Sequence, residues 1–128
     1  MSKMLLISSD FNLNSSLKKL SDEVKCDYCF YDKSEDPLDI ISEVLSTNAR
    51  LIILDDDFIA PASAKLLESI KKVKSKLSII FITSDSSLEL GRTINNIGVK
   101  FYLIKPISEE NLREFIKSVR TQNQEQIY

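Results

Sequence analysis

The chain has 128 residues, with 17 basic and 19 acidic side chains and a formal net charge of −2, a length that suits one domain with a two-sided core. Because these charges are spread along the chain, neither direct nucleic-acid binding nor a polybasic membrane patch is predicted, and the absence of histidine excludes histidine acid–base chemistry, metal ligation and phosphocarrier roles. No apolar run is long enough to span a bilayer and no leader is recognisable, so we expect a cytoplasmic protein without membrane attachment.

The first half of the chain alternates apolar runs with amphipathic segments. Short apolar runs bounded by polar residues predict three buried strands at residues 4–7, 28–31 and 51–54. Apolar residues at helical spacing predict two intervening helices, with inward-facing Leu13, Leu17, Leu20 and Val24 in the first and Leu38, Ile41, Val44 and Leu45 in the second. Asn12 is predicted to cap the first helix, and Pro37 to open the second.

The second half continues the alternation. Strands are predicted at residues 78–82 and 101–104. Three further helices follow Pro61, strand four and strand five, with inward-facing Leu66, Leu67, Ile70 and Val73, then Leu90, Ile94 and Ile97, then Leu112, Phe115, Ile116 and Val119. Gly98 is expected to end the fourth helix as a left-handed cap, and Ser108 to cap the fifth. Residues 1–120 are predicted to form the domain, and residues 121–128 a polar C-terminal tail.

Five apolar strands that alternate with five helices predict an α/β fold, the flavodoxin-like doubly wound (βα)5 arrangement. Its parallel five-stranded sheet has the strand order 2-1-3-4-5, because right-handed crossovers place helices on both faces of the sheet. In such sheets a ligand site lies beyond the carboxyl ends of the strands, at the switch point between strands one and three. The polar residues at those strand ends are therefore the candidate site.

A carboxylate, a hydroxyl and an ammonium group are predicted to meet at that edge. The polar residues that follow the strands are Ser8, Ser9, Asp10, Asp55, Asp56, Asp57, Thr83, Ser84 and Lys105. A carboxylate in such a set can act as a nucleophile toward a phosphoryl group, while the hydroxyl and the ammonium stabilise the phosphoryl oxygens. Polar residues end many strands without any such role, so spacing alone does not establish the chemistry.

Residues 98–106, which read GVKFYLIKP, carry a resemblance to a known family. They resemble the glycine, aromatic strand and Lys-Pro ending of the receiver domain of bacterial response regulators, which act in two-component phosphorelay signalling. The resemblance extends over residues 3–119. It implies that Asp55 is the phosphoacceptor, that Thr83 and Lys105 contact the phosphoryl group, and that Thr83 and Tyr102 act as the switch pair. It also implies a cis peptide bond between Lys105 and Pro106.

The expected metal site departs from the family pattern. Receiver domains that bind Mg²⁺ carry an acidic pair after strand one, where this chain has Ser8 and Ser9. The remaining candidate ligands are Asp10, one position beyond that pair, with Asp55 and the backbone carbonyl of Asp57. Because Mg²⁺ is held by carboxylates and each missing one forfeits attraction, Mg²⁺ binding is expected to be weak or absent, and phosphorylation slow or absent. The resemblance is thus to an atypical receiver domain.

A second departure leaves the phosphoacceptor open between two aspartates. The family usually has proline four residues beyond the acceptor, and Ile59 stands there if the acceptor is Asp55. Pro61 falls in place if the acceptor is Asp57, but Asp55 and Asp56 would then be buried without partners, which is costly. We therefore favour Asp55.

The resemblance also implies partners. A sensor histidine kinase or a phosphotransfer protein would supply the phosphoryl group, a downstream protein would bind the face formed by the fourth helix, the fifth strand and the fifth helix, and a homodimer is allowed. That face would present Arg92, Asn95, Asn96, Lys100, Tyr102, Lys117 and Arg120.

Two rival interpretations remain. In a pseudo-receiver, the same fold binds proteins without phosphorylation, and Asp55 and Lys105 form a structural ion pair. A haloacid-dehalogenase-like phosphatase would use Asp55 and Asp57 as an Asp-x-Asp motif, with Thr83 and Lys105 in its later motifs. That family needs a further acidic pair after the lysine and usually a cap insertion, whereas one helix and a tail are predicted beyond Lys105. We therefore expect a protein that is not an enzyme.

Overall fold

The structure, a computed structural model, describes residues 3–125, with side chains through residue 120. This part of the chain contains five strands and six helices. The strands are β1 (Lys3–Ile7), β2 (Asp27–Tyr31), β3 (Leu51–Asp55), β4 (Ser78–Thr83) and β5 (Phe101–Ile104). The helices are α1 (Phe11–Glu23), α2 (Pro37–Thr47), α3 (Asp56–Ile59), α4 (Ser63–Val73), α5 (Leu88–Ile97) and α6 (Glu109–Glu125). None of the helices in this range is both long and apolar enough to cross a membrane.

The sheet is parallel throughout and has the order β2-β1-β3-β4-β5, so the predicted doubly wound topology is confirmed. The register aligns Asp55 with Ile82 and Thr83 with Ile104. The carboxyl ends of β1, β3, β4 and β5 therefore lie along one edge, which is the edge expected to carry a ligand site.

Each face of the sheet supports its own apolar core. Ile52 and Leu54 of β3 pack with residues of α2, α4 and α5, whereas Ile53 packs with residues of α1 and α6. The central strands are buried on both sides, which explains why they read as continuous apolar runs rather than as alternating patterns.

The start of α1 and the inward faces of α2 and α4 differ from the prediction. The residue that caps α1 is Asp10, not Asn12, because the Asp10 carboxylate accepts hydrogen bonds from the backbone N–H groups of Asn12 and Leu13. In α2 the predicted inward positions Leu38 and Leu45 are 76% and 47% exposed, since the helix turns Ile40 and Val44 toward the sheet. Val73 of α4 is likewise half exposed rather than buried.

The four-residue helix α3 was not predicted, because four residues are too few to show helical periodicity. The predicted third, fourth and fifth helices are therefore α4, α5 and α6.

Gly98 ends α5 as predicted and has a positive φ of +110°, but its ψ of 116° lies outside the left-handed helical conformation that was expected. Ser108 caps α6 as predicted, accepting from the backbone N–H of Asn111 at 3.1 Å. Helix α6 runs to Glu125, inside the predicted tail; the domain boundary at 120 stays a prediction, and residues 126–128 lie outside the described range.

Candidate functional site

The ammonium group of Lys105 lies among three carboxylates at the carboxyl edge of the sheet. Its Nζ is 3.1 Å from Oδ1 of Asp55, 3.0 Å from Oδ2 of Asp57 and 3.8 Å from Oδ2 of Asp10. Lys105 follows β5, Asp55 ends β3 and Asp10 follows β1, so strands from separate parts of the chain bring these groups together. The predicted meeting of an acid and an amine at this edge is present.

Asp55 is only 2% exposed, and protein groups satisfy both of its carboxylate oxygens. Oδ2 accepts a hydrogen bond from the Ser8 hydroxyl at 2.6 Å and one from Lys105 Nζ at 3.1 Å. Oδ1 accepts a hydrogen bond from the backbone N–H of Asp57 at 3.1 Å, and through this bond Asp55 caps the start of α3. Ser8 is fully buried, and its hydroxyl is a local hydrogen-bond donor to Asp55.

The electrostatics of the cluster favour its charged forms. Burial alone would lower the pKa of Lys105, but hydrogen bonds and charges from Asp57 and Asp55 outweigh it, and the pKa of Lys105 is raised. Burial alone would raise the pKa of Asp57, but hydrogen bonds from Ser84 and Lys105 outweigh it, and the pKa of Asp57 is lowered. Ser84 contributes its hydroxyl at 2.7 Å and its backbone N–H at 3.3 Å to Oδ1 of Asp57.

The carboxylate oxygens of this cluster do not fit a resident Mg²⁺ ion while Lys105 keeps its contacts with them. The three predicted ligands, Asp10, Asp55 and Asp57, surround an ammonium group instead of an open space, and one oxygen of Asp10 is used to cap α1. Mg²⁺ requires near-octahedral oxygen ligands at about 2.1 Å. Among residues 3–120, no group of three or more acidic or cysteine side chains is arranged to hold a metal ion.

Thr83 lies at the same edge, but its hydroxyl does not contact Asp55. It donates a hydrogen bond to Oδ2 of Asp56 at 2.6 Å and accepts one from the backbone N–H of Asp85 at 2.9 Å. The other carboxylate oxygen of Asp56 accepts a hydrogen bond from the Ser63 hydroxyl. Asp55 and Asp56 are thus both buried, and both have hydrogen-bond partners. The expectation that they would be buried without partners if Asp57 were the acceptor is therefore wrong, and that cost does not count against Asp57.

Tyr102 turns its ring inward. The ring stacks on Phe81 with centroids 5.5 Å apart and an interplanar angle of 12°. Its hydroxyl is buried and has no hydrogen-bond partner among the described residues. Burial raises the pKa of Tyr102, and the charges of Asp85 and Asp56 add to that shift. The peptide bond that joins Lys105 to Pro106 is cis, and so is the bond that joins Ala60 to Pro61.

The predicted partner face is only partly presented. Five of the predicted residues are exposed: Arg92, Asn95, Asn96, Lys100 and Lys117. Arg120, in contrast, donates a hydrogen bond from Nη1 to the carbonyl oxygen of Val24 at 2.6 Å, so it binds the end of α1 rather than lying open on that face. The Tyr102 hydroxyl is buried, so this residue offers no polar group there.

No family model and no curated protein matches this chain. Several solved structures are similar to it. A signal receiver domain from Vibrio parahaemolyticus has a TM-score of 0.81 at 20% identity, covering 98% of this chain and 96% of that one. A two-component response regulator from Clostridium difficile has a TM-score of 0.80 at 23% identity, covering 94% and 97%. A CheY-like receiver domain protein from Methanospirillum hungatei has a TM-score of 0.78 at 20% identity, covering 98% of each chain. The chain therefore has the CheY-like, flavodoxin-type fold of receiver domains over nearly its whole length.

Proposed function

We propose that the chain is a signal-transduction receiver module that acts by binding other proteins, with Asp55 as its phosphoacceptor. The observation that carries this proposal is the buried Asp55 carboxylate at the carboxyl edge of β3, held 3.1 Å from Lys105 Nζ. Asp57 is the weaker candidate for acceptor, because it lies in α3, two residues beyond the end of β3, whereas the resemblance to receiver domains places the acceptor at the strand end.

The geometry supports phosphoryl transfer in which Lys105 provides the main electrostatic assistance. An Asp55 oxygen would form a bond to phosphorus while the bond from phosphorus to the donor group breaks, and the leaving group would keep the electron pair. Lys105 would then stabilise the charge on the transferred phosphoryl oxygens. The reaction is expected to be slow, because the hydrogen bonds from Ser8 and Lys105 to Asp55 must first rearrange.

Metal dependence is proposed to be weak or absent, because Ser8 and Ser9 replace the acidic pair and Lys105 occupies the space between the remaining carboxylates. A sensor histidine kinase or a phosphotransfer protein in the cytoplasm would supply the phosphoryl group. The downstream partner would bind the exposed part of α5, β5 and α6, and that face can also serve for a homodimer.

One observation favours a second candidate, a pseudo-receiver that signals without phosphorylation. Asp55 has its charge neutralised by Lys105 and its oxygens satisfied by Ser8 and Asp57, so the cluster is complete without a ligand. In that case Asp55 and Lys105 stabilise a preformed binding surface.

Beryllofluoride, a phosphoryl mimic, separates the two candidates. Its binding would be followed by NMR at Asp55, Thr83 and Tyr102, with and without millimolar Mg²⁺, and with Asp55→Asn as the control. A weak, saturable response that disappears in Asp55→Asn supports the receiver proposal. No response under either condition supports the pseudo-receiver, and a response that persists in Asp55→Asn refutes Asp55 as the acceptor.

A further inference from the structure

The Asp56 carboxylate is buried between two hydroxyl groups. Asp56 is 5% exposed, and no salt bridge joins it to a cation among the described residues. Oδ2 accepts from the Thr83 hydroxyl at 2.6 Å, and Oδ1 accepts from the Ser63 hydroxyl at the start of α4. A buried carboxylate that lacks a cation depends on such hydrogen bonds, so both hydroxyls are held firmly.

Thr83 is fixed through both functions of its hydroxyl. Its proton goes to Asp56, and its oxygen accepts the backbone N–H of Asp85, which anchors the loop between β4 and α5. The Thr83 carbonyl oxygen accepts the backbone N–H of Lys105 at 2.8 Å. The Thr83 side chain therefore lies beside the Asp55 and Lys105 cluster without taking part in it.

We infer that Asp56 is a positioning residue that withholds the Thr83 hydroxyl from any phosphoryl group at Asp55; this inference rests on the proposed function. A hydroxyl has one proton, so Thr83 cannot donate to Asp56 and to a phosphoryl oxygen at the same time. The Asp56 carboxylate and a phosphoryl group at Asp55 would compete for the Thr83 proton. Asp56 is favoured because its carboxylate is buried and already accepts the hydrogen bond from Thr83. Asp56 thus weakens the response of Thr83 and of the β4–α5 loop to phosphorylation.

Three variants test this inference. Asp56→Ala removes the acceptor and frees Thr83. Asp56→Asn keeps one acceptor oxygen for Thr83 and can donate to the Ser63 oxygen. Ser63→Ala is the matched control, because it damages the same buried network but leaves the Thr83 to Asp56 hydrogen bond in place. Beryllofluoride affinity and the Thr83 side-chain rotamer would be measured by NMR, in Mg²⁺ and in chelator.

Asp56→Ala should bind beryllofluoride about tenfold more tightly than the unaltered chain, which corresponds to about 1.4 kcal/mol. Asp56→Asn and Ser63→Ala should stay within about twofold of the unaltered chain. Adding Thr83→Ala to Asp56→Ala should remove the gain, which a merely structural effect of Asp56 would not require. In the unaltered chain, saturation with beryllofluoride should leave the Thr83 rotamer unchanged, a test that needs no variant to fold.

The failures are distinguishable. If the unaltered chain binds beryllofluoride but Asp56→Ala brings no gain, or if Thr83 turns to the ligand in the unaltered chain, the inference about Asp56 is overturned while the acceptor role of Asp55 stands. If neither the unaltered chain nor any variant binds beryllofluoride, the acceptor role fails and the competition at Thr83 fails with it.

Discussion

Replacing Ser8 by aspartate would place a second carboxylate beside Asp55, at a position where the resemblance to receiver domains implies an acidic residue. The Ser8 hydroxyl lies 2.6 Å from Oδ2 of Asp55, and the residue is fully buried. Two carboxylates about 4 Å apart repel each other by about 4 kcal/mol at an effective dielectric constant of about 20. The lost hydrogen bond adds about 1 kcal/mol, and attraction to Lys105 offsets part of the total. We expect Ser8→Asp to lower the free energy of unfolding by about 3 kcal/mol at pH 7 without divalent ions.

Mg²⁺ should reverse this loss in the variant. A pair of facing carboxylates provides the ligands that the ion prefers, and at a concentration of about 100 times its dissociation constant it would stabilise the folded state by about 2.7 kcal/mol. Urea denaturation with chelator and with Mg²⁺ measures both effects. Ser9→Asp is the control, because Ser9 is exposed and its substitution makes the same change in net charge.

Two results would refute this reasoning. The first is a Ser8→Asp variant that is as stable as the unaltered chain in chelator, since the Ser8 side chain would then not face Asp55. The second is equal stabilisation of the unaltered chain and the variant by Mg²⁺, since the present cluster would then already bind the ion.

Further predictions concern the charge cluster and one turn. Lys105→Met should lower the unfolding free energy by about 3 kcal/mol in urea denaturation, because it leaves the neighbouring carboxylates without their cation. Lys100→Met, at an exposed site, should change the unfolding free energy little. Equal losses in the two variants would contradict the stabilising role of Lys105 in the cluster. Because the pKa of Asp57 is lowered in the fold, its contribution to stability is present above about pH 3.9 and is lost as the pH falls through the lowered value; Asp57→Asn should flatten this acid decline, and an unchanged pH profile would count against it. Gly98→Ala should destabilise the fold by about 1 to 3 kcal/mol, since φ is +110° and the new Cβ would lie 2.7 Å from Lys71 Nζ; an unaltered melting temperature would contradict this.

The sheet and the edge that carries the candidate site were predictable from sequence because they depend on long, simple signals. Residues 51–54 form a continuous apolar run, and the aspartates after it mark where the strand leaves the core. Since parallel strands end at one edge, Asp55 and Lys105 were expected to meet although they are far apart in the chain.

The partners of individual side chains were not predictable in the same way. The Thr83 hydroxyl binds Asp56 because α3 turns the residue after Asp55 back into the protein, and a four-residue helix gives no periodic signal. No sequence pattern indicates that the hydroxyls of Ser63 and Ser8 donate to Asp56 and Asp55. In α2, Leu38 and Leu45 extend the apolar pattern beyond the face that reaches the sheet, so pattern alone gave the wrong inward positions.

The most direct test of the proposed function is the mass of the protein after incubation with a small phosphodonor, in Mg²⁺ and in chelator, followed by mapping of the modified residue. We predict slow addition of a single phosphoryl group, at Asp55, at rates that differ little between the two conditions. Rapid labelling that requires Mg²⁺, or a phosphoryl group on Asp57, would contradict this account.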